Sequence, residues 1–160
     1  MTKALFLDRD GVLNREVGDY TYTTDAFEVL PEVVPALGLA LRKGYLLIVI
    51  SNQGGIAKGI FSHSDVEAVH GRLTETLREA EIGLTAIYYC PHHDVVGRCM
   101  CRKPGALMLE KAMARFNINA TDSVFIGDSK RDVEAAARVG VKGILTRSND
   151  GILHIVEQLP

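Results

Sequence analysis

The 160-residue sequence contains no apolar run near the ~20 residues that a bilayer span requires, so no membrane-crossing helix is expected. Its opening, MTKALFLDRDGV, has only a brief apolar stretch with acids directly behind it, which does not match a secretory leader. A cytoplasmic protein is therefore expected. Charge of one sign is also scarce. A net charge of -2 argues against a broad nucleic-acid or membrane surface, although it leaves room for a local basic pocket. Cysteine is sparse and odd in number, with three residues, which makes a poor disulfide framework. There is no internal repeat, no low-complexity linker and no insertion long enough for a second domain, so residues 1–160 are read as one domain.

What is present is the composition of a packed globular chain, 47% hydrophobic and 24% charged. Short apolar runs alternate with longer helical patterns. Strands are expected at 4–7, 45–50, 86–89, 123–126 and 143–145. The run Tyr45–Ile50 lacks polar alternation, as a strand covered on both faces requires. Helices are expected at 31–43, 64–80, 105–116 and 131–139, two of them stopped by Gly44 and Gly140. This alternation predicts an α/β fold, a Rossmann-like three-layer sandwich around a central parallel sheet. Ligands in such folds bind at the carboxyl ends of the strands.

The polar motifs fall at those ends. The first strand runs into Asp8-Arg9-Asp10-Gly11. Residues two apart in extended chain share a face, which pairs Asp8 with Asp10 and turns Arg9 away. Two adjacent carboxylates need a cation or a shared proton. The second strand ends in Ser51-Asn52-Gln53-Gly54-Gly55, whose hydroxyl, amides and backbone N–H groups suit phosphate oxygens. Arg102-Lys103 precedes the helix at 105–116, where a helix N-terminus already favours anions. Gly127-Asp128-Ser129-Lys130-Arg131-Asp132 follows the fourth strand, and oxygen donors there suit Mg²⁺. Asp132 reads as a cap for the next helix. Each motif alone is also explained by an ordinary turn or a solvated surface, but four in succession are not.

DRDGV, SNQ, RKP and GDSKRD together resemble, in order, the four motifs of the haloacid dehalogenase-like superfamily of phosphohydrolases. LDRDGVLN, SNQGGIAKG and CMCRKPG are similar to the subgroup that includes sugar-bisphosphate and histidinol-phosphate phosphatases, whose members lack a large cap domain. The resemblance implies that Asp8 is the nucleophile and Asp10 the general acid–base. It implies that Ser51 and Lys103 hold the transferring phosphoryl group. Mg²⁺ would sit on the Asp8 carboxylate, the Asp10 carbonyl and Asp128. By position, Glu16 and Asp19 match the subgroup's substrate loop, and Asn52, Gln53 and Arg102 are further substrate-contact candidates. The expected substrate is a phosphorylated small molecule, foremost D-glycero-D-manno-heptose 1,7-bisphosphate taken to the 1-phosphate on the way to a lipopolysaccharide or surface glycan. Histidinol phosphate and a nucleic-acid 3′-phosphate are the alternatives, and the lack of a basic stripe weighs against the last.

Cys90, His92, Cys99 and Cys101 lie within twelve positions and read as a closed structural Zn²⁺ site in a loop at about 90–101, with His93 the rival to His92, and buried free cysteines or a Cys99–Cys101 disulfide the rivals to zinc. Such a loop would orient Arg102 and Lys103, which follow it. His63 and His70 are expected on a helix surface, His154 carries no assignment, and nothing demands more than a monomer.

Overall fold

A computed structural model describes residues 1–160. Five strands form one parallel sheet: β1 (Lys3–Leu7), β2 (Tyr45–Asn52), β3 (Ala86–Cys90), β4 (Val124–Gly127) and β5 (Lys142–Leu145), in the order β3-β2-β1-β4-β5. Five helices accompany them: α1 (Val33–Arg42), α2 (His63–Glu79), α3 (Leu107–Phe116), α4 (Lys130–Arg138) and α5 (Leu153–Gln158).

Strand periodicity builds the three layers. Leu5, Leu7, Leu47, Val49, Val124 and Ile126 face a core shared with α1, α2 and α5. Ala4, Phe6, Ile48, Ile50 and Phe125 face the opposite core, shared with α3 and α4. Both faces of β1 and β2 are thus buried, and their sequences are continuously apolar for that reason. The expected Rossmann-like sandwich is the observed fold, and no large cap covers it.

The boundaries differ from expectation in instructive ways. Strand β2 runs two residues further, to Asn52, because Ser51 and Asn52 continue the register with Tyr89 and Cys90 of β3. Helix α2 begins earlier than its sequence pattern suggests. Ser62, not Ser64, caps it: Ser62 Oγ accepts from Asp65 N at 3.2 Å, and Asp65 Oδ2 accepts from Ser62 N at 2.8 Å. Helix α5 has no counterpart among the expected elements; it packs Val156 into the first core.

Candidate active site

The chain leaves β1 towards β2 on one side, and β4 pairs with β1 on the other. The strand order therefore reverses between β1 and β4, and a crevice opens beyond their carboxyl ends. A cavity of about 480 Å³ occupies that position. Asp8, Asp10, Glu16, Asp19, Asn52, Gln53, Arg102, Lys103 and Asp128 all line it. A larger groove, about 1040 Å³, crosses the outer side of Arg102 and Lys103 and reaches Met100, Glu110 and Arg138. It contains none of the acids at the strand ends.

Asp8 follows β1 directly, its N–H still donating to Ile126 O at 3.1 Å. Its carboxylate Oδ1 accepts from Lys103 Nζ at 2.9 Å. Lys103 is 2% exposed and reaches two further oxygens: Asp132 Oδ1 at 2.6 Å and Ile50 O at 2.8 Å. All three ammonium donors are thereby used. The two carboxylates beside Lys103 hold its pKa up although burial alone would lower it. Burial pushes the Asp8 carboxyl well above the ordinary range, against the pull of Lys103, and Asp132 and Asp128 push the same way. Two carboxylates thus share one lysine, with the third, Asp128, close by and unpaired with it.

Asp132 is missing from the sequence-derived site and is central to the geometry. It sits at the third position of α4, where its Oδ2 accepts from Ser129 N at 3.1 Å while its Oδ1 takes Lys103. The capping pattern was legible, but the buried lysine on its other oxygen was not. Gly127 allows this approach, since a Cβ there would overlap the Asp132 side chain. Gly11, at φ +84°, does the same for Asp128, whose carboxylate occupies the space a Cβ would fill.

Arg9 departs from expectation. Rather than turning away from the two acids, it is 1% exposed and its Nη2 donates to Asp10 Oδ1 at 2.9 Å and to Thr21 O at 2.8 Å. Asn14 Nδ2 donates to Asp10 Oδ1 at 3.0 Å, and Gln53 Nε2 to Asp10 Oδ2 at 3.2 Å. His70, expected on a helix surface, is buried against Arg9 Nη1. Ser51 lies in β2 with no exposure and does not line the cavity; its Oγ accepts from Gln53 Nε2 at 2.8 Å. Asn52 fastens the Lys103 loop from both sides, with Oδ1 accepting from Lys103 N at 2.9 Å and Nδ2 donating to Lys103 O at 3.1 Å.

The loop carrying Glu16 and Asp19 is held by Asn149, which sequence reasoning did not single out. Its Oδ1 accepts from Glu16 N at 2.7 Å and its Nδ2 donates to Glu16 O at 2.9 Å. Tyr22 stacks on Phe61, and Tyr20 meets the same ring edge-on. Beyond Asp128, Ser129 caps α4, Lys130 lines a separate groove, and Arg131 is the cation that reaches the cavity.

The second cluster is local. Cys90, His92, Cys99 and Cys101 bring their donor atoms within 4.8 Å of one another. Cys90 Sγ lies 2.9 Å from Cys101 Sγ, 3.7 Å from Cys99 Sγ and 3.4 Å from His92 Nδ1. The cysteines are free, with no Cys99–Cys101 disulfide. His93 lies outside the cluster and lines the cavity instead. Burial pushes the Cys90 thiol up, so with no cation beside it that sulfur keeps its proton; a metal ion would displace the proton and bind the thiolate. Three sulfurs and one imidazole fit tetrahedral Zn²⁺. Arg102 N donates to Cys99 Sγ at 3.3 Å, which ties this cluster to the cation pair.

Comparison with known proteins follows the same lines. Residues 100–152 match a family model described as HAD-hydrolase-like. The chain is 38% identical over 154 residues to the D-glycero-beta-D-manno-heptose-1,7-bisphosphate 7-phosphatase of Haemophilus influenzae, covering 92% of this chain and 83% of that one. It is 36% identical over 167 residues to the D-glycero-D-manno-heptose-1,7-bisphosphate 7-phosphatase of Chlorobaculum tepidum, covering 98% and 84%. Among solved structures it resembles the D,D-heptose 1,7-bisphosphate phosphatase of B. bronchiseptica complexed with magnesium and phosphate. There the TM-score is 0.86 at 29% identity, covering 99% of this chain and 89% of that one.

Proposed function

Because this chain belongs to the haloacid dehalogenase-like family of phosphohydrolases and is a phosphoric monoester hydrolase, we propose that it removes one phosphate from a sugar bisphosphate through a phospho-aspartate on Asp8. The substrate we infer is D-glycero-D-manno-heptose 1,7-bisphosphate, with the 1-phosphate as product. The observation that carries the reading is the Asp8 carboxylate at the sheet's switch point, held by Lys103 and open to a cavity lined with both acids and cations.

Asp8 attacks phosphorus and an Asp8–phosphorus oxygen bond forms as the ester P–O bond breaks. Asp10 gives its proton to the departing sugar oxygen. Water then attacks the acyl phosphate, Asp10 takes the water's proton, and the bond to Asp8 breaks to release inorganic phosphate. Asp8 and Asp128, with the Asp10 carbonyl, would hold Mg²⁺. Their hard oxygen donors fit it, and the charge that one lysine leaves unbalanced among three carboxylates calls for it. When bound, the ion supplies positive charge where the phosphoryl oxygens develop negative charge.

Lys103 neutralises and aims Asp8; a phosphoryl oxygen reaching it takes over one of the three contacts it now makes. The polar hand of the cavity is mixed. Glu16 and Asp19 suit sugar hydroxyls, whereas Arg102, Arg131 and the Gly54 backbone suit a second phosphate. Zn²⁺ in the Cys90, His92, Cys99 and Cys101 cluster would be structural, its four donors leaving no open position. No helix is long and apolar enough to cross a membrane. The single domain over 1–160, the monomer and the cytoplasmic setting belong to the same proposal.

The test is a phosphate-release assay with Mg²⁺ across heptose 1,7-bisphosphate, histidinol phosphate and a 3′-phosphorylated oligonucleotide. Preference for the heptose bisphosphate by kcat/KM is the expected result. Preference for either other substrate overturns the substrate assignment and leaves the chemistry standing.

A further inference from the structure

The buried guanidinium of Arg9 connects three elements. Its Nε and Nη2 donate to Asp10 Oδ1 at 3.3 and 2.9 Å, and Nη2 also reaches Thr21 O at the end of the Glu16–Asp19 loop. Its remaining terminal nitrogen, Nη1, lies 3.3 Å from Nε2 of His70, in the middle of α2. A guanidinium has donors and no acceptor, so His70 Nε2 must present a lone pair. The ring is then neutral with its proton on Nδ1. Burial, and then the positive charge of Arg9, hold the His70 pKa down to about 4, consistent with that form at neutral pH.

The ring is itself braced. Tyr89 of β3 meets it edge-on, centroids 5.5 Å apart at 70°, and the Tyr89 hydroxyl pairs with His63 Nδ1 at 2.8 Å. A rigid line of side chains therefore runs from α2 and β3 through Arg9 to the Asp10 carboxylate.

We propose that His70 is a positioning residue for proton transfer, fixing the Arg9 guanidinium so that Arg9 aims the Asp10 carboxyl at the leaving oxygen. This rests on the reading of Asp10 as the general acid. In the step concerned, the ester P–O bond breaks, its electron pair stays on the sugar oxygen, and the Asp10 proton moves to that oxygen. Without an acceptor at position 70, Nη1–H is left unpaired in a buried site and the guanidinium shifts to satisfy it. Asp10 Oδ1 then loses the two Arg9 donors and keeps only Asn14, while Asp8 and Lys103, which do not touch Arg9, keep their contacts.

The chemistry supplies a readout that a merely structural role would not move. Sugar phosphates have poor leaving groups that need the acid, whereas p-nitrophenyl phosphate has one that leaves without a proton. The parameter kcat/KM covers only the steps up to phosphoryl transfer, so the later base role of Asp10 drops out. His70→Leu is expected to lower kcat/KM for the best sugar phosphate of the panel roughly tenfold or more and to leave p-nitrophenyl phosphate within a few-fold. His70→Gln carries an oxygen at the same number of bonds from Cα as Nε2 and is expected to restore the wild-type ratio. Thermal unfolding checks that each variant is folded, and His70→Met serves in place of His70→Leu if that one is not.

Equal losses on both substrates, or no loss, with His70→Leu or His70→Met overturn the inference, as does a folded His70→Gln whose ratio collapses. Asp10→Asn separates this from the reading beneath it: a sugar-to-aryl ratio unchanged in Asp10→Asn removes the acid role itself.

Discussion

The two clusters of side chains that could hold a metal ion are assembled in opposite ways. The carboxylate cluster draws Asp8, Asp128 and Asp132 from the ends of β1 and β4 and the start of α4, with Lys103 from a distant loop between Asp8 and Asp132. The thiol cluster takes all four donors from one stretch, Cys90 to Cys101. The first is open to a cavity and short of positive charge; the second has four donors of its own and borders the cavity through Arg102 and His93. An incomplete, electrostatically loaded site is what chemistry needs, because substrate and cation complete it. On the proposed reading, a cluster that supplies four donors leaves no open position and would instead fix the chain that carries Arg102 and Lys103.

Substitutions can break this contrast, beginning with the largest effect. Asp8→Asn is expected to abolish turnover, by about 10⁴-fold or more, with little change in the thermal midpoint. Near-normal phosphate release from Asp8→Asn would move the nucleophile elsewhere. Lys103→Met leaves Asp8 and Asp132 facing each other with no cation between them. We expect a loss of roughly 10²- to 10³-fold in kcat, together with lower stability, since both carboxylates lose a buried partner. Steady-state rates and a denaturant titration read the two effects separately.

Cys101→Ser tests the other side. It should lower stability and reduce activity roughly 10- to 100-fold through the misplaced Arg102–Lys103 segment. Added Mg²⁺ should restore activity to EDTA-treated wild-type protein whose zinc is retained, and should not rescue Cys101→Ser. Rescue of both by Mg²⁺ would erase the distinction between the clusters.

The smallest effect at neutral pH concerns the support around Asp10. In the unfolded chain His70 titrates near 6.5, while in the fold it stays neutral down to about 4. The unfolded state therefore binds more protons between those values, and stability falls as pH drops through that window. The shift corresponds to roughly 3 kcal/mol at its full extent. Arg9, Asp10 and Tyr89 face the ring and share the environment that sets it. His70→Gln should flatten that part of the stability–pH curve, and an unchanged slope would place the acid sensitivity elsewhere.

The same contrast explains what could be read from the sequence. The β1 and β2 strands announce themselves because both faces are covered, which leaves unbroken apolar runs. Motifs placed after such strands must converge at one sheet end, so Asp8, Asp128 and the Arg102–Lys103 pair could be brought together before any coordinates. The Cys–His cluster is legible because it is local. What escaped depends on contacts between distant segments. Asp132 looks like any helix-capping aspartate until Lys103 arrives on its second oxygen. His70 looks exposed along its own helix, and Arg9 looks turned away from the acids, until the two meet and Arg9 folds back onto Asp10. Asn149 acts through two backbone groups of Glu16, 133 positions away. Helix α5 is six residues long, too short for a periodic signal.

The ion pair between Lys103 and Asp8 spans 95 positions, and the other face of that lysine waits on Asp132. During synthesis Asp8 leaves the ribosome early, its counter-ion much later, and the Asp132 anchor of that counter-ion later still. Any fragment that ends between Lys103 and α4, whether an interrupted translation product or a proteolytic remnant, carries Asp8 and Lys103 but lacks Asp132, one of the three oxygens that hold the lysine. The full set of contacts around Lys103 therefore exists only once the last quarter of the polypeptide has docked.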